Sequence, residues 1–213
     1  MQHLFLTASI DTTCVAQSVF SKLNLNAPRT AFIVTPVEAE TKIGLKTWEG
    51  EERQAMQNAG FNTFDYTITG KKLSQIKQDL DNIEVLYVSG GNEQYFREVC
   101  DDTDFESFVK KFVDSGRPYI GTSCGSIIAG QSMLPTSKLN DLSVLKRPIN
   151  PRGFGLVNFS VLPHWGLEDF RQGYIIDGFE NMYQEKSPMI AINNYQYIEV
   201  TGDQYKIIDT RHE

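Results

Sequence analysis

Five consecutive residues of this 213-residue chain, Gly121-Thr122-Ser123-Cys124-Gly125, have the types and spacing for nucleophilic chemistry. They follow a strand-like segment, Pro118–Gly121, and precede a helix-like run, Ser126-Ile127-Ile128-Ala129-Gly130. G-x-S-x-G between a strand and a helix is the setting of a nucleophile elbow. A tight turn there lifts the central side chain, Ser123, above the sheet edge, and flanking glycines avoid a clash with the neighbouring strand and helix. The amide of Cys124 would open the helix and point to the same space, where it could receive a developing oxyanion. A second glycine-rich turn, Ser89-Gly90-Gly91-Asn92, follows the apolar run Val85–Val88. Gly91 would give a second oxyanion donor, or the pair is a plain strand-to-helix turn. A serine nucleophile needs a base, and the chain has three histidines. His3 precedes the first strand, at the end opposite the expected site, and His212 lies in the C-terminal tail. His164, in Leu162-Pro163-His164-Trp165, follows a strand at the site end and is the base expected.

The elements that must position these residues alternate along the chain. Leu4–Ala8, Thr30–Thr35 (stopped by Pro36), Phe61–Ile68, Val85–Val88, Pro118–Gly121 and Leu156–Leu162 read as strands. Asp11-Thr12-Thr13 can cap a helix carrying Val15, Val19, Phe20 and Leu23 on one face. Further helical patterns are Glu51–Ala59 ended by Gly60, then Leu73, Ile76 and Leu80, then Phe105, Phe108, Val109 and Phe112 ended by Gly116. Phe170, Tyr174, Ile175 and Phe179 form a last stripe, and Met189–Thr201 with Gln204–Asp209 reads as a hairpin about Gly202-Asp203. Strands alternating with helices predict an α/β fold with a mostly parallel sheet covered on both faces, and a site outside the carboxyl ends of its strands. No linker or repeat divides the chain, so one domain over residues 1–213 is expected.

Composition narrows the function. Acidic residues outnumber basic ones, 27 to 20, for a formal net charge of -7, and no basic stripe is present, which argues against nucleic acid. Lys71–Lys72 with Lys77 and the pair Lys110–Lys111 read as solvated helix faces. No stretch approaches the ~20 apolar residues of a membrane span. The N-terminus reads as a strand rather than a signal peptide. Cys14, Cys100 and Cys124 are odd in number and widely spaced, so neither a disulfide framework nor a zinc site is expected. Reduced cysteines and a cytoplasmic location are the expectation.

Gly90-Gly91-Asn92, Gly121–Gly125 and Pro163-His164, in this order, resemble the peptidase E family. These are serine peptidases of the aspartyl dipeptidase and cyanophycinase group, with a fold similar to class I glutamine amidotransferases. The likeness runs from about Leu4 to Ile208 and includes Pro118-Tyr119-Ile120-Gly121, Asn140-Asp141 and Gly153-Phe154-Gly155-Leu156. It implies a three-layer α/β/α sandwich. It implies Ser123 as nucleophile, His164 as base, and the amides of Gly91 and Cys124 as oxyanion hole. It implies a small peptide substrate whose N-terminal aspartate is read by an arginine, since the guanidinium fork suits a carboxylate. Arg171, in Glu168-Asp169-Phe170-Arg171, falls near that arginine's place. Asp141 would help hold the substrate amino group, and Asn92 is counted with them. Apart from the resemblance, Arg171 reads as an exposed helix residue and Asp141 as a loop carboxylate capping its own backbone. No metal or cofactor is implied, and a homodimer is left open.

Two departures stand out. Cys124 occupies a position usually held by a small residue, which raises a thiol nucleophile as a rival. It is one residue late in the G-x-S-x-G frame, and a free cysteine there is expected to point into the sheet. The family's acid falls on Asn194, in Ala191-Ile192-Asn193-Asn194-Tyr195. An amide can orient a histidine but lends no charge to an imidazolium, and Asp-to-Asn in a serine triad costs roughly 10⁴ in rate. Three readings follow: Asn194 orients His164, another carboxylate such as Glu168, Asp169 or Glu199 has taken over, or activity is lost and the pocket kept. The functions they leave are a serine peptidase, a binding or sensor module on the same fold, and a thiol-dependent protein built on Cys124.

Overall fold

Apolar runs and helical stripes alternate in the sequence, and in the computed structural model, which describes residues 1–12, 14–41 and 48–212, they become alternating strands and helices. The first half holds β1 (His3–Thr7), α1 (Val15–Leu23), β2 (Arg29–Ile33), α2 (Glu38–Thr41), α3 (Trp48–Ala59), β3 (Asn62–Tyr66), α4 (Leu73–Asp79) and β4 (Val85–Val88). The chain continues through α5 (Glu93–Thr103), α6 (Phe105–Asp114), β5 (Tyr119–Thr122), α7 (Cys124–Ala129) and β6 (Ser160–Leu162). It ends with α8 (Glu168–Arg171), α9 (Phe179–Gln184), β7 (Met189–Ala191), β8 (Gln196–Thr201) and β9 (Gln204–Asp209).

The central sheet has seven strands in the order β3-β2-β4-β5-β1-β8-β9. The first five run parallel, and the β8–β9 hairpin adds antiparallel to β1. Successive residues of a strand face opposite sides, and both sides are apolar here. Leu4, Leu6, Ala31, Ile33, Leu86 and Val88 pack under α4 to α7 with Ile76, Phe96, Phe108, Val109 and Ile127. Phe5, Phe32, Val85, Tyr87 and Ile120 pack on the other face against Val15 and Val19 of α1 and Met56 of α3. The result is the expected three-layer α/β/α sandwich. Each fully buried Val, Leu, Ile, Phe or Met among them contributes about 1.5–3 kcal/mol of transfer free energy. No helix among the described residues is long and apolar enough to cross a membrane.

The structure departs from the sequence reading in five places. The cap of α1 is Cys14, at φ 72°, rather than Asp11-Thr12-Thr13; Asp11 instead accepts from Ser9 Oγ, and Thr13 lies outside the described residues. Helix α5 has no counterpart in the sequence pattern, because Glu93, Gln94, Arg97 and Glu98 are buried on it and break up any apolar stripe. Asn92 caps it, accepting from Gln94 N (3.1 Å) and Tyr95 N (2.9 Å), and Arg97 is neutralised by Asp101 (2.6 Å) and Glu106 (2.9 Å). The strand expected over Leu156–Leu162 is only Ser160–Leu162. Met189–Thr201 is two strands: Met189–Ala191 pairs with β6 in a small separate sheet, and only Gln196–Thr201 joins the hairpin. The stripe from Phe170 to Phe179 is broken by a wide turn at Gln172–Ile176, which buries Tyr174 and leaves Ile175 and Phe179 exposed.

Candidate active site

Ser123 stands between β5 and α7 with φ 48° and ψ -105°, a backbone that residues other than glycine rarely adopt. The surroundings hold it there. Its N–H donates to Thr7 O (3.0 Å), and its carbonyl accepts from Ser126 N (3.0 Å) and Ile127 N (2.9 Å). Both flanking glycines are required by close backbone approach. A Cβ on Gly121 would come 2.5 Å from Gly125 C, and one on Gly125 would come 2.3 Å from Val88 O, on the neighbouring strand. Backbone cannot step aside as a flexible side chain does. We expect Gly125→Ala to cost about 2–3 kcal/mol, or more, by overpacking, read as a drop in Tm of about 5–10 °C in a melting experiment on a chain of this size.

His164 follows β6 after Pro163, also at positive φ (59°). Its Nε2 lies 3.0 Å from Ser123 Oγ, and its Nδ1 lies 2.8 Å from Asn194 Oδ1. The small sheet makes this possible. Leu162 of β6 pairs with Ala191 of β7, and the pairing continues as Ile192 N donates to Leu162 O and Trp165 N to Ile192 O, each at 3.0 Å. The residues just beyond the two strand ends, His164 and Asn194, are thereby set side by side. Phe170 stacks on the imidazole, with ring centroids 4.3 Å apart at 15°. Burial pushes the His164 pKa below its usual value of 6.5, while the hydrogen bond to Asn194 and the charge of Asp11 pull it back up. The ring is therefore neutral at pH 7, with Nδ1–H donating to Asn194 and Nε2 free to accept from Ser123.

Of the other carboxylates considered for this role, Glu199 and Glu168 are paired elsewhere, while Asp169 shares the cleft with His164. Glu199 pairs with His3 and with Lys206 (3.0 Å), at the opposite end of β1. Glu168 is exposed and pairs with Arg171. Asp169 lines the cleft in front of Ser123.

That cleft, about 570 Å³, lies at the carboxyl ends of β1, β4 and β5, and Ser123, His164, Asn194, Gly90 and Gly91 line it. Gly91 has φ 126°, and a Cβ there would meet Pro36 C at 2.5 Å, so only glycine fits this turn. Cys124 N begins α7, where helix geometry leaves an amide without an intrahelical acceptor. The Cys124 side chain is fully buried, and burial pushes its thiol well above the ordinary value, which disfavours a thiolate.

Three residues expected on the substrate fall outside the cleft lining. Asn92 spends its side-chain oxygen on the α5 cap and donates through Nδ2 to Asp141 O (2.8 Å). The Asp141 carboxylate accepts from Ser143 N (2.8 Å) and Ser143 Oγ (2.9 Å) and is held below its usual pKa by them. Arg171 points to solvent with Glu168 at 3.4 Å, because α8 turns its neighbours Phe170 and Gln172 toward the cleft instead. The lining also includes Asp11, Glu40, Trp48, Glu52 and Lys138, none of them read from the sequence as a site residue. They come from segments with no motif of their own, brought together only by the sheet order.

This geometry has known relatives. The model of Peptidase family S51 matches residues 9–208 of the chain. An uncharacterized peptidase of Listeria monocytogenes is 25% identical over 202 residues, 95% of this chain and 96% of that protein. An uncharacterized peptidase of Pasteurella multocida is 26% identical over 215 residues, covering 100% of both chains. Peptidase E of a Nostoc species is 29% identical over 150 residues, 70% of this chain and 57% of that one. Among solved structures, a Listeria monocytogenes protein provisionally named peptidase E superposes with a TM-score of 0.84 at 21% identity, over 98% of each chain, which shows the shared fold. With the family's model matched over nearly the whole of this sequence, the chain belongs to peptidase family S51 and is a serine-type peptidase.

Proposed function

We propose that this peptidase hydrolyses short peptides through Ser123, with His164 as base, Asn194 as its orienter, and the amides of Gly91 and Cys124 as oxyanion hole. The observation that carries this reading is the contact of Ser123 Oγ with His164 Nε2 at 3.0 Å on a strained elbow, with Asn194 Oδ1 on the far nitrogen at 2.8 Å. Ser123 Oγ attacks the scissile carbonyl carbon as its proton passes to His164 Nε2. The oxyanion is received by the two amides. The imidazolium then returns its proton to the departing amine, and water, activated by the same nitrogen, releases the acyl group.

The cleft volume suits a di- or tripeptide rather than a long chain. Asp11, Glu40 and Asp169 on its wall favour a free α-ammonium group. An N-terminal aspartate, the side chain that the family resemblance implies, would meet Lys138, the cation on the described lining, rather than Arg171. The free cysteines Cys14, Cys100 and Cys124 fit a reducing compartment, which supports a cytoplasmic location. Asn194 also favours a second reading, a binding protein on the same fold with its turnover impaired.

The test is hydrolysis of a panel of aminoacyl p-nitroanilides and X-Leu dipeptides differing in the N-terminal residue. We expect cleavage with a preference for aspartate, weakened in Lys138→Ala. Binding of acidic dipeptides by calorimetry, with no product over the whole panel, would replace the peptidase reading by the binding one.

A further inference from the structure

Beneath the cleft, buried polar groups link the two backbone segments that flank Ser123 Oγ. The Glu52 carboxyl lies directly against the Gly90–Gly91 turn. Tyr87 Oη, on β4, donates to Glu52 Oε2 (2.9 Å) and has the Thr122 side chain beside it. Thr122 Oγ1 lies 2.8 Å from Thr7 Oγ1, which donates to Gly121 O (3.3 Å). These groups run from one residue before Gly91 to Gly121, two residues before Ser123. Tyr87, Thr122 and Thr7 are fully buried, and Glu52 is 5% exposed. A Cβ on Gly90 would stand 3.1 Å from Trp48 and 3.2 Å from Glu52 Oε1, so the turn rests directly on these two side chains.

We propose that Glu52 is a positioning residue for the reaction at Ser123, clamping the Gly90–Gly91 turn to β4 so that the Gly91 amide keeps its place relative to the serine elbow. This rests on the Ser123–His164 reading above. An ionised carboxylate is costly to bury, and the clamp works as a neutral acid. Burial pushes the Glu52 pKa up to about 8, against the hydrogen bond from Tyr87 and the Gly90 backbone and with the help of the charges of Asp11 and Glu49. Its facing groups are Tyr87 on β4, Asp11 after β1, Glu49 on its own helix, and Cys124 on α7, whose thiol stays protonated. Above that pH the carboxyl becomes an anion beside the place where the oxyanion must form. Reactivity at Ser123 therefore falls as pH rises through about 8.

The experiment needs no substrate. A fluorophosphonate probe is attacked at phosphorus by Ser123 Oγ, fluoride leaves, and the Oγ proton passes to His164 Nε2; its P=O oxygen takes the oxyanion position. The labelling rate is followed by intact mass from pH 5 to 10 in the wild type and in Ser123→Ala, Glu52→Gln, Glu52→Ala and Tyr87→Phe. We expect the wild type to label, Ser123→Ala not to label, and the wild-type rate to drop about tenfold above pH 8, a modest part of what an oxyanion donor supplies. Glu52→Gln keeps the shape and neutrality of the acid, so it should label within about threefold of the wild type at pH 7 and lose the alkaline fall. Glu52→Ala should be about tenfold slower at every pH, with Tyr87→Phe between the two. Ser123-dependent labelling whose rate and alkaline limb are the same in wild type, Glu52→Gln and Glu52→Ala would overturn the role of Glu52 and leave the Ser123–His164 reading intact. A wild type that never labels would overturn both.

Discussion

Ser123→Ala is expected to lower kcat/KM by about 10²-fold, and Cys124→Ala to leave it within about threefold. The first figure follows from the amide at Asn194. In a serine protease of another fold, removing the serine costs about 2 × 10⁶ and removing the acid alone about 3 × 10⁴, with little further loss when both are gone. An enzyme that already lacks the acid has about 10² left to lose. The second figure follows from burial: the Cys124 thiol is closed off and held protonated, and the role proposed for this residue belongs to its amide. Steady-state hydrolysis of the best substrate in the panel, by the two variants in parallel, measures both. Loss confined to Cys124→Ala would make the thiol the nucleophile and discard the serine mechanism.

Asn194→Asp is expected to raise turnover, by as much as about 10⁴-fold. The site is already built for a carboxylate. Asn194 Oδ1 sits 2.8 Å from His164 Nδ1, so an aspartate oxygen would take the same place with no movement of the strands. It would add the charge that stabilises the imidazolium formed as Ser123 attacks. It would also change the pH profile in a definite direction. In the parent chain burial depresses the His164 pKa below 6.5, and the neutral base is the active form, so the acid limb lies below that pH. A carboxylate within hydrogen-bonding distance favours the charged ring and raises its pKa by about 1–3 units. The acid limb of kcat/KM, which reports the free-enzyme base, should shift to higher pH by that amount. The two variants are linked: the more Asn194→Asp gains, the less Ser123→Ala loses in the parent background. If Asn194→Asp neither gains rate nor moves the limb, Asn194 does not act on the reaction through His164.

The candidate site was legible in the sequence to the extent that local geometry determines it. The glycines at 121 and 125 mark an elbow because backbone approaches closer than a Cβ allows, and that constraint is local to a strand-to-helix turn. Gly91 is legible for the same reason. His164 could be found by elimination among three histidines. Asn194 was reached only through the family pattern, since nothing around Ile192-Asn193-Asn194 marks it as an orienter. Arg171, Asp141 and Asn92 show the limit of carrying a motif over by position. Each sits at the expected place in the chain, yet its side chain is spent on Glu168, on Ser143 or on the α5 cap. Glu52 carried no signal at all, because a glutamate in a helix reading Trp-Glu-Gly-Glu-Glu-Arg is ordinarily solvated.

By itself the sequence determined the α/β class, the two covered faces of the sheet, the elbow serine and its histidine. These follow from hydrophobic periodicity and from the steric demands of single turns, both of which act over a few residues. The tertiary structure decided what depends on strand order and on distant segments. It split the late strand region into a separate two-stranded sheet, whose register sets Asn194 beside His164, 30 positions apart in the chain. It buried Glu52 against Tyr87 and Gly90, and it turned Arg171 away from the cleft. Hydrogen bonds between strands far apart in the chain, and the desolvation that packing imposes, leave no mark on local residue patterns.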